Sequence, residues 1–479
     1  MNKNRLDEII EEKQKIFIDV NDEIWQYAEM RFEEFKSADL LSAVLEDEGF
    51  SIKRDIAGIS TAFVASFGSG KPVVAILGEY DALSGLSQKA GVAKKEPLSE
   101  GGSGHGCGHN ILGTGALAAA VAVKCYLAEN KMGGTIRYYG CPGEEGGSGK
   151  AFMVRDGVFD DVDVALTWHP LTHNTIFSLR TLANYQINFK FHGKSAHAAT
   201  APHLGRSALD AVELMNVGVN YLREHIIQEA RVHYAVTNAG GNSPNVVQSE
   251  TEVLYLIRAP KINQVQDIYE RVCDVARGAA MMTGTECEIV FNKACSNYIP
   301  NSTLEKLLYN NFKEVGVPEL DDEEKEFARA MKKTLSKMDI ENDLQMASVF
   351  MGGGGQKIIN ILKEKDISDI ILPYTHSSTL LSGSTDVGDV SWIIPTAQFS
   401  VACNAFGTPG HSWQSVAQGK TAYAHKGMLV AGKVLARTVI DVLQNPEIIE
   451  TSKAELGEIL DGVTYVCPIP SKVKPSTIQ

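Results

Sequence analysis

Hydrophobic positions change their period along the chain, and the changes mark out its elements. Residues 72–77 form a short continuous apolar run, as a strand buried on both faces requires. Residues 111–127 are Ala-rich and of helical length, with Asn110 as a candidate N-cap. Two more strand-like runs, 134–140 and 162–168, flank a Gly-rich loop and a short helix. Strand, helix, strand, helix, strand predicts an α/β domain with a central, mostly parallel sheet flanked by helices. In such sheets ligands gather at the carboxyl ends of the strands, so chemistry is expected just after these runs.

Near Thr181 the period changes to two. Tyr185, Ile187, Phe189 and Phe191 alternate with polar residues, the mark of a sheet with one wet face. A helix follows, with Leu209, Val212, Met215, Val219, Leu222 and Ile226 at helical spacing. Strand-like segments at 232–237 and 253–257, a second amphipathic helix from Val265 to Ala279 and a strand at 287–291 complete the order β-α-β-β-α-β. That order predicts a ferredoxin-like α+β module inserted as residues 181–297, with 1–180 and 298–479 forming the main domain. Beyond the insert, residues 320–344 are expected to be a charged, solvent-exposed helical region, and the four glycines at 352–355 a flexible turn. From Ser384 the α/β character returns and ends in an amphipathic helix around 428–439, and no internal repeat is evident.

Composition narrows the function classes. The 479 residues carry 45 Lys and Arg against 59 Asp and Glu, a formal charge of −14, which argues against a nucleic-acid binder. The longest apolar stretch, 111–123, is short and Gly-interrupted for a membrane span, and the first ten residues lack an apolar signal core. No membrane association and a cytoplasmic location are therefore expected. Eight cysteines in a chain this long are too sparse for a disulfide scaffold.

Four short motifs carry candidate chemistry. In Gly104-His105-Gly106-Cys107-Gly108-His109-Asn110, between strand and helix, Cys107 and His109 can reach one cavity while the glycines let backbone crowd a ligand. Taken alone, Cys-x-His is a weak signal, since a buried thiol beside an unrelated histidine is common. Cys141-Pro142-Gly143-Glu144-Glu145-Gly146-Gly147 sets two carboxylates after a strand, costly unless a cation compensates them. One glutamate can then ligate while its neighbour takes a proton from water, although a solvated acidic turn would read the same way. Trp168-His169-Pro170 ends the next strand, and Gly410-His411-Ser412-Trp413 supplies a distant histidine. Together they hold enough ligands for two divalent ions.

The order of motifs is recognisable. Gly-Glu-Tyr-Asp81, His-Gly-Cys107-Gly-His109-Asn, Pro-Gly-Glu144-Glu145-Gly-Gly, Trp168-His169, Ser-Ala-His197-Ala-Ala, Ser-Pro-Asn245-Val-Val and Gly-His411-Ser-Trp resemble the co-catalytic dimetal aminoacylase and carboxypeptidase family. The branch with plant auxin-conjugate amidohydrolases is the most similar. Strings from Tyr139, His203 and Ser384 resemble its members that hydrolyse p-aminobenzoyl-glutamate. Ser384-Thr385-Asp386-Val387 and His411-Ser412-Trp413 depart from that branch, which usually shows Ser-Glu-Asp-Phe and His-Ser-Pro there.

The resemblance implies a role for each of these residues. Cys107 bridges two divalent ions per chain, one completed by His109 and His169, the other by Glu145 and His411. Manganese is favoured by the resemblance, and zinc is the alternative. Glu144 is the general base and Asp81 orients the metal site from beneath. The insert is a lid and dimerisation domain, with His197 steadying the oxyanion and Asn245 and Arg258 holding the substrate. For Arg258 an ordinary surface ion pair is an equal alternative. By the same resemblance, the reaction is hydrolysis of a small anionic amide to p-aminobenzoate and glutamate. A dipeptidase or N-acyl-amino-acid amidohydrolase is the near alternative, and a supporting subunit of a heteromeric hydrolase the distant one. The implied assembly is a homodimer or a heteromer with a homologous subunit.

Overall fold

The computed structural model describes residues 3–377 and 379–477. Helices α1 (Asn4–Glu12), α2 (Gln14–Tyr27) and α3 (Phe35–Asp47) lead into an antiparallel hairpin of β1 (Ser51–Ile56) and β2 (Ile59–Ser69). Strand and helix then alternate through β3 (Val73–Gly78), α4 (His109–Asn130), β4 (Gly134–Gly140), α5 (Gly149–Arg155) and β5 (Val164–Leu171), followed by the two-residue β6 (Thr175–Ile176).

The next stretch builds a separate sheet from β7 (Ala183–His192), α6 (Ala208–Leu222), β8 (Arg231–Asn238), β9 (Glu250–Ala259), α7 (Ile262–Thr283) and β10 (Glu286–Cys295). The chain returns through α8 (Ser302–Val315), α9 (Asp322–Lys332), α10 (Lys337–Phe350), α11 (Gln356–Lys363) and α12 (Val387–Ser391). It ends with β11 (Thr396–Ala402), α13 (Trp413–Gln418), α14 (Ala422–Gln444) and α15 (Pro446–Leu460).

The large sheet has the order β1-β2-β4-β3-β5-β11-β6. Its middle, β4-β3-β5-β11, is parallel, and both margins are antiparallel. Every residue of β3 and β11 is buried, as expected where helices cover both faces. Helix α4 is long and apolar enough to cross a membrane by length and composition, yet its first nineteen positions lie almost wholly in the core, packed against α14 and the sheet. It begins two residues earlier than expected. Asn110 is not its N-cap: the side chain donates to Asn21 Oδ1 at 2.9 Å and to the Gly419 carbonyl at 3.1 Å, and Gly108 takes the cap position. Within α4, Gly115 leaves room for Trp168, since a Cβ there would stand 2.6 Å from the indole. The indole Nε1 donates to the Leu112 carbonyl at 3.0 Å, fixing the strand segment that carries His169.

The second sheet is antiparallel throughout, ordered β10-β7-β9-β8. Along β9, Thr251, Val253, Tyr255, Ile257 and Ala259 turn to a face covered by α6 and α7, and the intervening residues are more exposed. Strand β8 lies at the edge and is exposed at all but Val232. The charged region expected at 320–344 is two helices. They are not simply solvated: Asp343 and Met346 of α10 line a cavity beside the metal-ligand candidates.

Candidate metal centre

The candidate residues converge at the carboxyl ends of the parallel strands. Glu79 and Asp81 follow β3, Glu144 and Glu145 follow β4, and His169 lies near the end of β5. Cys107 and His109 come from the start of α4, where Gly108 adopts a left-handed φ of +75° and a Cβ would lie 2.8 Å from Pro170. His411, just before α13, also adopts a left-handed φ of +55°, a conformation costly for a non-glycine residue and concentrated at functional sites.

Two triads share Cys107. In one, donor atoms of Cys107, His109 and His169 lie within 4.8 Å of one another, and in the other those of Cys107, Glu145 and His411 do so. Their orientation is set from outside. The His109 Nδ1–H donates to Asp81 Oδ1 at 2.8 Å, leaving Nε2 buried and without a hydrogen-bond partner. Asp81 Oδ2 accepts from the Glu145 backbone N–H at 2.8 Å, so one buried carboxylate braces a residue of each triad. The His169 Nδ1–H donates to the Pro170 carbonyl at 3.0 Å, and its Nε2 stands 3.4 Å from Cys107 Sγ. His411 Nε2 lies 3.2 Å from Glu145 Oε1.

The electrostatics ask for positive charge. Restricted hydration, then the carboxylates of Glu79, Glu145 and Asp386, push the Glu144 carboxyl well above its ordinary range. For Glu145 the same loss of hydration is outweighed by His411 and His109, which draw it down to about 2. Burial and Glu145 push the Cys107 thiol up, so it is not a ready nucleophile, and burial with His109 lowers its neighbour His169 to about 4. Against burial, Cys107 and Asp81 carry His109 well above its ordinary value. A buried Nε2 that makes no hydrogen bond, a thiol and a carboxylate are the donor types that divalent zinc or manganese takes.

Sequence reasoning missed a buried ion network beneath Glu144. Lys150, fully buried on α5, places Nζ 2.6 Å from Glu79 Oε1 and 2.7 Å from Asp386 Oδ1, and Glu79 Oε2 lies 3.3 Å from His109 Nε2. Glu79 is within reach of motif reading, because it stands two residues before Asp81, on the same side of an extended chain.

The remaining candidates lie elsewhere. His197 and Asn245 are exposed and joined by backbone, the Ala198 N–H donating to the Asn245 carbonyl at 2.9 Å. Neither lines the cavities beside Cys107. Arg258, largely buried on β9, donates from Nη1 to Ser384 Oγ at 3.2 Å, and its Nε has no partner. Among the described residues it joins no ion pair; Ser384 lines a cavity of about 240 Å³ with Glu79, Glu144, Glu145 and His169.

Comparison with known proteins points the same way. The B subunit of p-aminobenzoyl-glutamate hydrolase from Escherichia coli K12 is 52% identical over 474 residues, 99% of this chain and 98% of that one. Xaa-Arg dipeptidase of Mus musculus is 28% identical over 450 residues, 90% of this chain and 86% of the other. The crystal structure of an aminobenzoyl-glutamate utilization protein from Klebsiella pneumoniae covers 91% of this chain and 98% of its own, with a TM-score of 0.60 at 19% identity, a likeness of fold. Residues 75–440, which contain both triads, Glu144 and the second sheet, match the model of peptidase family M20/M25/M40, and the chain belongs to that family.

Proposed function

We propose that this metal-dependent amidohydrolase cleaves p-aminobenzoyl-glutamate to p-aminobenzoate and glutamate, with Glu144 as the general base. The observation that carries the reading is the pair of triads sharing Cys107 with Glu144 beside them, in a chain 52% identical to a subunit of p-aminobenzoyl-glutamate hydrolase. Cys107, His109 and His169 would hold one divalent ion, and Cys107, Glu145 and His411 the other. Bound there, such ions acidify water and polarise a carbonyl. Manganese is favoured over zinc by likeness of sequence.

The chain's own groups do the rest. Glu144 takes a proton from the attacking water and returns it to the departing amine. The Lys150–Glu79–Asp386 network steadies the ground beneath it. Arg258, without an ion-pair partner among the described residues, is positioned through Ser384 to grip a substrate carboxylate, which favours that role over a surface ion pair.

The unit from β7 to β10 serves as lid and dimerisation domain in this reading. Its exposed edge strand β8 and exposed Leu214, Val217 and Tyr221 on α6 suit a partner, either a second copy or a homologous chain. His197 and Asn245, exposed here, would then reach into the partner's site, His197 stabilising the oxyanion. The eight cysteines are all free thiols, which suits a reducing cytoplasm.

The likeness to a dipeptidase keeps a second reading, hydrolysis of dipeptides or N-acyl amino acids. To test both, the purified chain is stripped with chelator, reloaded with manganese or zinc, and offered p-aminobenzoyl-glutamate, N-acetyl amino acids and dipeptides. Metal-dependent release of p-aminobenzoate at the highest kcat/KM supports the proposal. Preference for dipeptides overturns it, and activity only after adding a homologous chain identifies a supporting subunit.

A further inference from the structure

Helix α2 and the loop that joins it to α3 lie ahead of residues 75–440, so the family match assigns them no role. They nevertheless touch three of the stretches that carry the candidate ligands. The Ile24 carbonyl accepts from His105 Nε2 at 3.0 Å, the Trp25 indole donates to the Val416 carbonyl at 3.0 Å, and the Glu29 carbonyl accepts from the Ala82 N–H at 2.8 Å.

The same loop has its firmest hold on the turn that carries Glu144 and Glu145. Glu34, fully buried, receives the Gly143 N–H on Oε1 at 2.9 Å, and its Oε2 pairs with the Thr61 hydroxyl of β2 at 2.9 Å. Arg31, also buried, donates from Nη1 to the Gly146 carbonyl. Between these two anchors the Phe32 ring covers the turn: a Cβ on Gly143 would stand 2.6 Å from that ring, and one on Gly147 2.5 Å. Phe32 also meets Phe152 of α5 edge to face at 6.4 Å. Its own φ is +60°, costly for a bulky side chain and kept only where the surroundings impose it, as at functional sites. Asp81 braces Glu145 through that residue's N–H, whereas Glu144 sits between the two anchored glycines.

We propose that Arg31, Phe32 and Glu34 are positioning residues that hold the Gly143–Gly146 turn in the conformation that aims Glu144 at the attacking water. The inference rests on the amidohydrolase reading and names residues, outside the metal centre, that set its rate. A reacting group misplaced by about 1 Å can cost about 100-fold in rate. Loosening the turn should therefore be felt in kcat rather than in substrate or metal binding.

The test sets Glu34→Leu against Glu34→Gln. Leucine fills the space but offers no acceptor, whereas glutamine keeps a carbonyl oxygen for the Gly143 N–H and an amide that can donate to the Thr61 hydroxyl. Burial and Asp81 push the Glu34 carboxyl up to about 8, so a neutral side chain suits the site. In metal-reloaded protein, Glu34→Leu should lower kcat for p-aminobenzoyl-glutamate about 10- to 100-fold with KM and metal content within about twofold, and Glu34→Gln should bring kcat back to within about threefold of native. Phe32→Leu keeps both hydrogen bonds and serves if leucine at position 34 prevents folding; it should lower kcat about tenfold on the same terms. Amide hydrogen exchange needs no turnover. In the metal-free Glu34→Leu protein it should quicken about tenfold in a peptide covering 142–149 and stay native in peptides from α4. Native kcat in both leucine variants overturns the proposal. So does a loss in Glu34→Gln equal to that in Glu34→Leu, or exchange quickened alike in both regions, the mark of a general loosening. A native chain that cleaves no amide overturns the amidohydrolase reading and the catalytic part of this inference with it, while exchange still decides whether Glu34 holds the turn.

Discussion

Replacing Asp81 by Asn isolates the brace beneath the metal centre. The carboxylate accepts two N–H groups at 2.8 Å, one from His109 Nδ1 and one from the Glu145 backbone, and it is 1% exposed. Asn has one acceptor oxygen and one NH2, so whichever way the amide turns, one contact becomes donor against donor. A hydrogen bond to a charged group contributes about 1.5–3 kcal/mol, so losing one should weaken metal binding by roughly 10- to 100-fold. The side chain keeps its shape, and stability should fall much less than affinity. Chelator competition on the reloaded protein measures the affinity, and activity at saturating metal shows whether the catalytic geometry survives. Metal affinity within twofold of the native protein would refute the bracing role.

Other expectations rest on the same geometry. Lys150→Met leaves Glu79 and Asp386 buried without their counter-charge, and should lower unfolding free energy by about 3–5 kcal/mol, read from the denaturant midpoint; a change below about 0.5 kcal/mol would contradict the network. Arg258→Lys keeps the charge but loses the planar fork, so KM for p-aminobenzoyl-glutamate should rise about tenfold or more with kcat less affected. If His197 serves the partner's site, His197→Ala and Glu144→Gln chains, each inactive, should recover about a quarter of native activity when unfolded and reassembled together in equal amounts, because random pairing gives half hybrids with one intact site each. No recovery, with hybrids demonstrated, would place His197 in its own chain's site.

How much of the molecule is legible in the sequence depends on how local each feature is. Strand β3 is readable from residues 72–77 because its burial comes from an unbroken apolar run, and β7 because its alternation is strict. The ligand candidates are readable because Gly-rich motifs at strand ends are themselves local. The β1–β2 hairpin escapes such reading: β1 is polar and exposed along most of its length and owes its place to pairing with β2. Lys150 has the sequence character of a surface residue, and only the approach of Glu79 and Asp386 from distant segments makes its burial tolerable. Helix α10 is charged enough to read as solvated, and only its docking against His173, which meets both Asp343 and the helix's own Phe350, turns Asp343 inward. His197 and Asn245 carry recognisable motifs, yet this chain leaves them away from Cys107. Their proposed work depends on a second subunit.

The most direct test of the central claim is Glu144→Gln. Metal content and p-aminobenzoyl-glutamate turnover should be measured on the same preparation. Glutamine preserves size but cannot take a proton, and general-base loss of this kind costs about 10²–10⁴-fold in rate. Turnover should fall by at least that factor, with two divalent ions per chain retained. Substantial turnover in the variant, or loss of metal together with activity, would contradict the role assigned to Glu144.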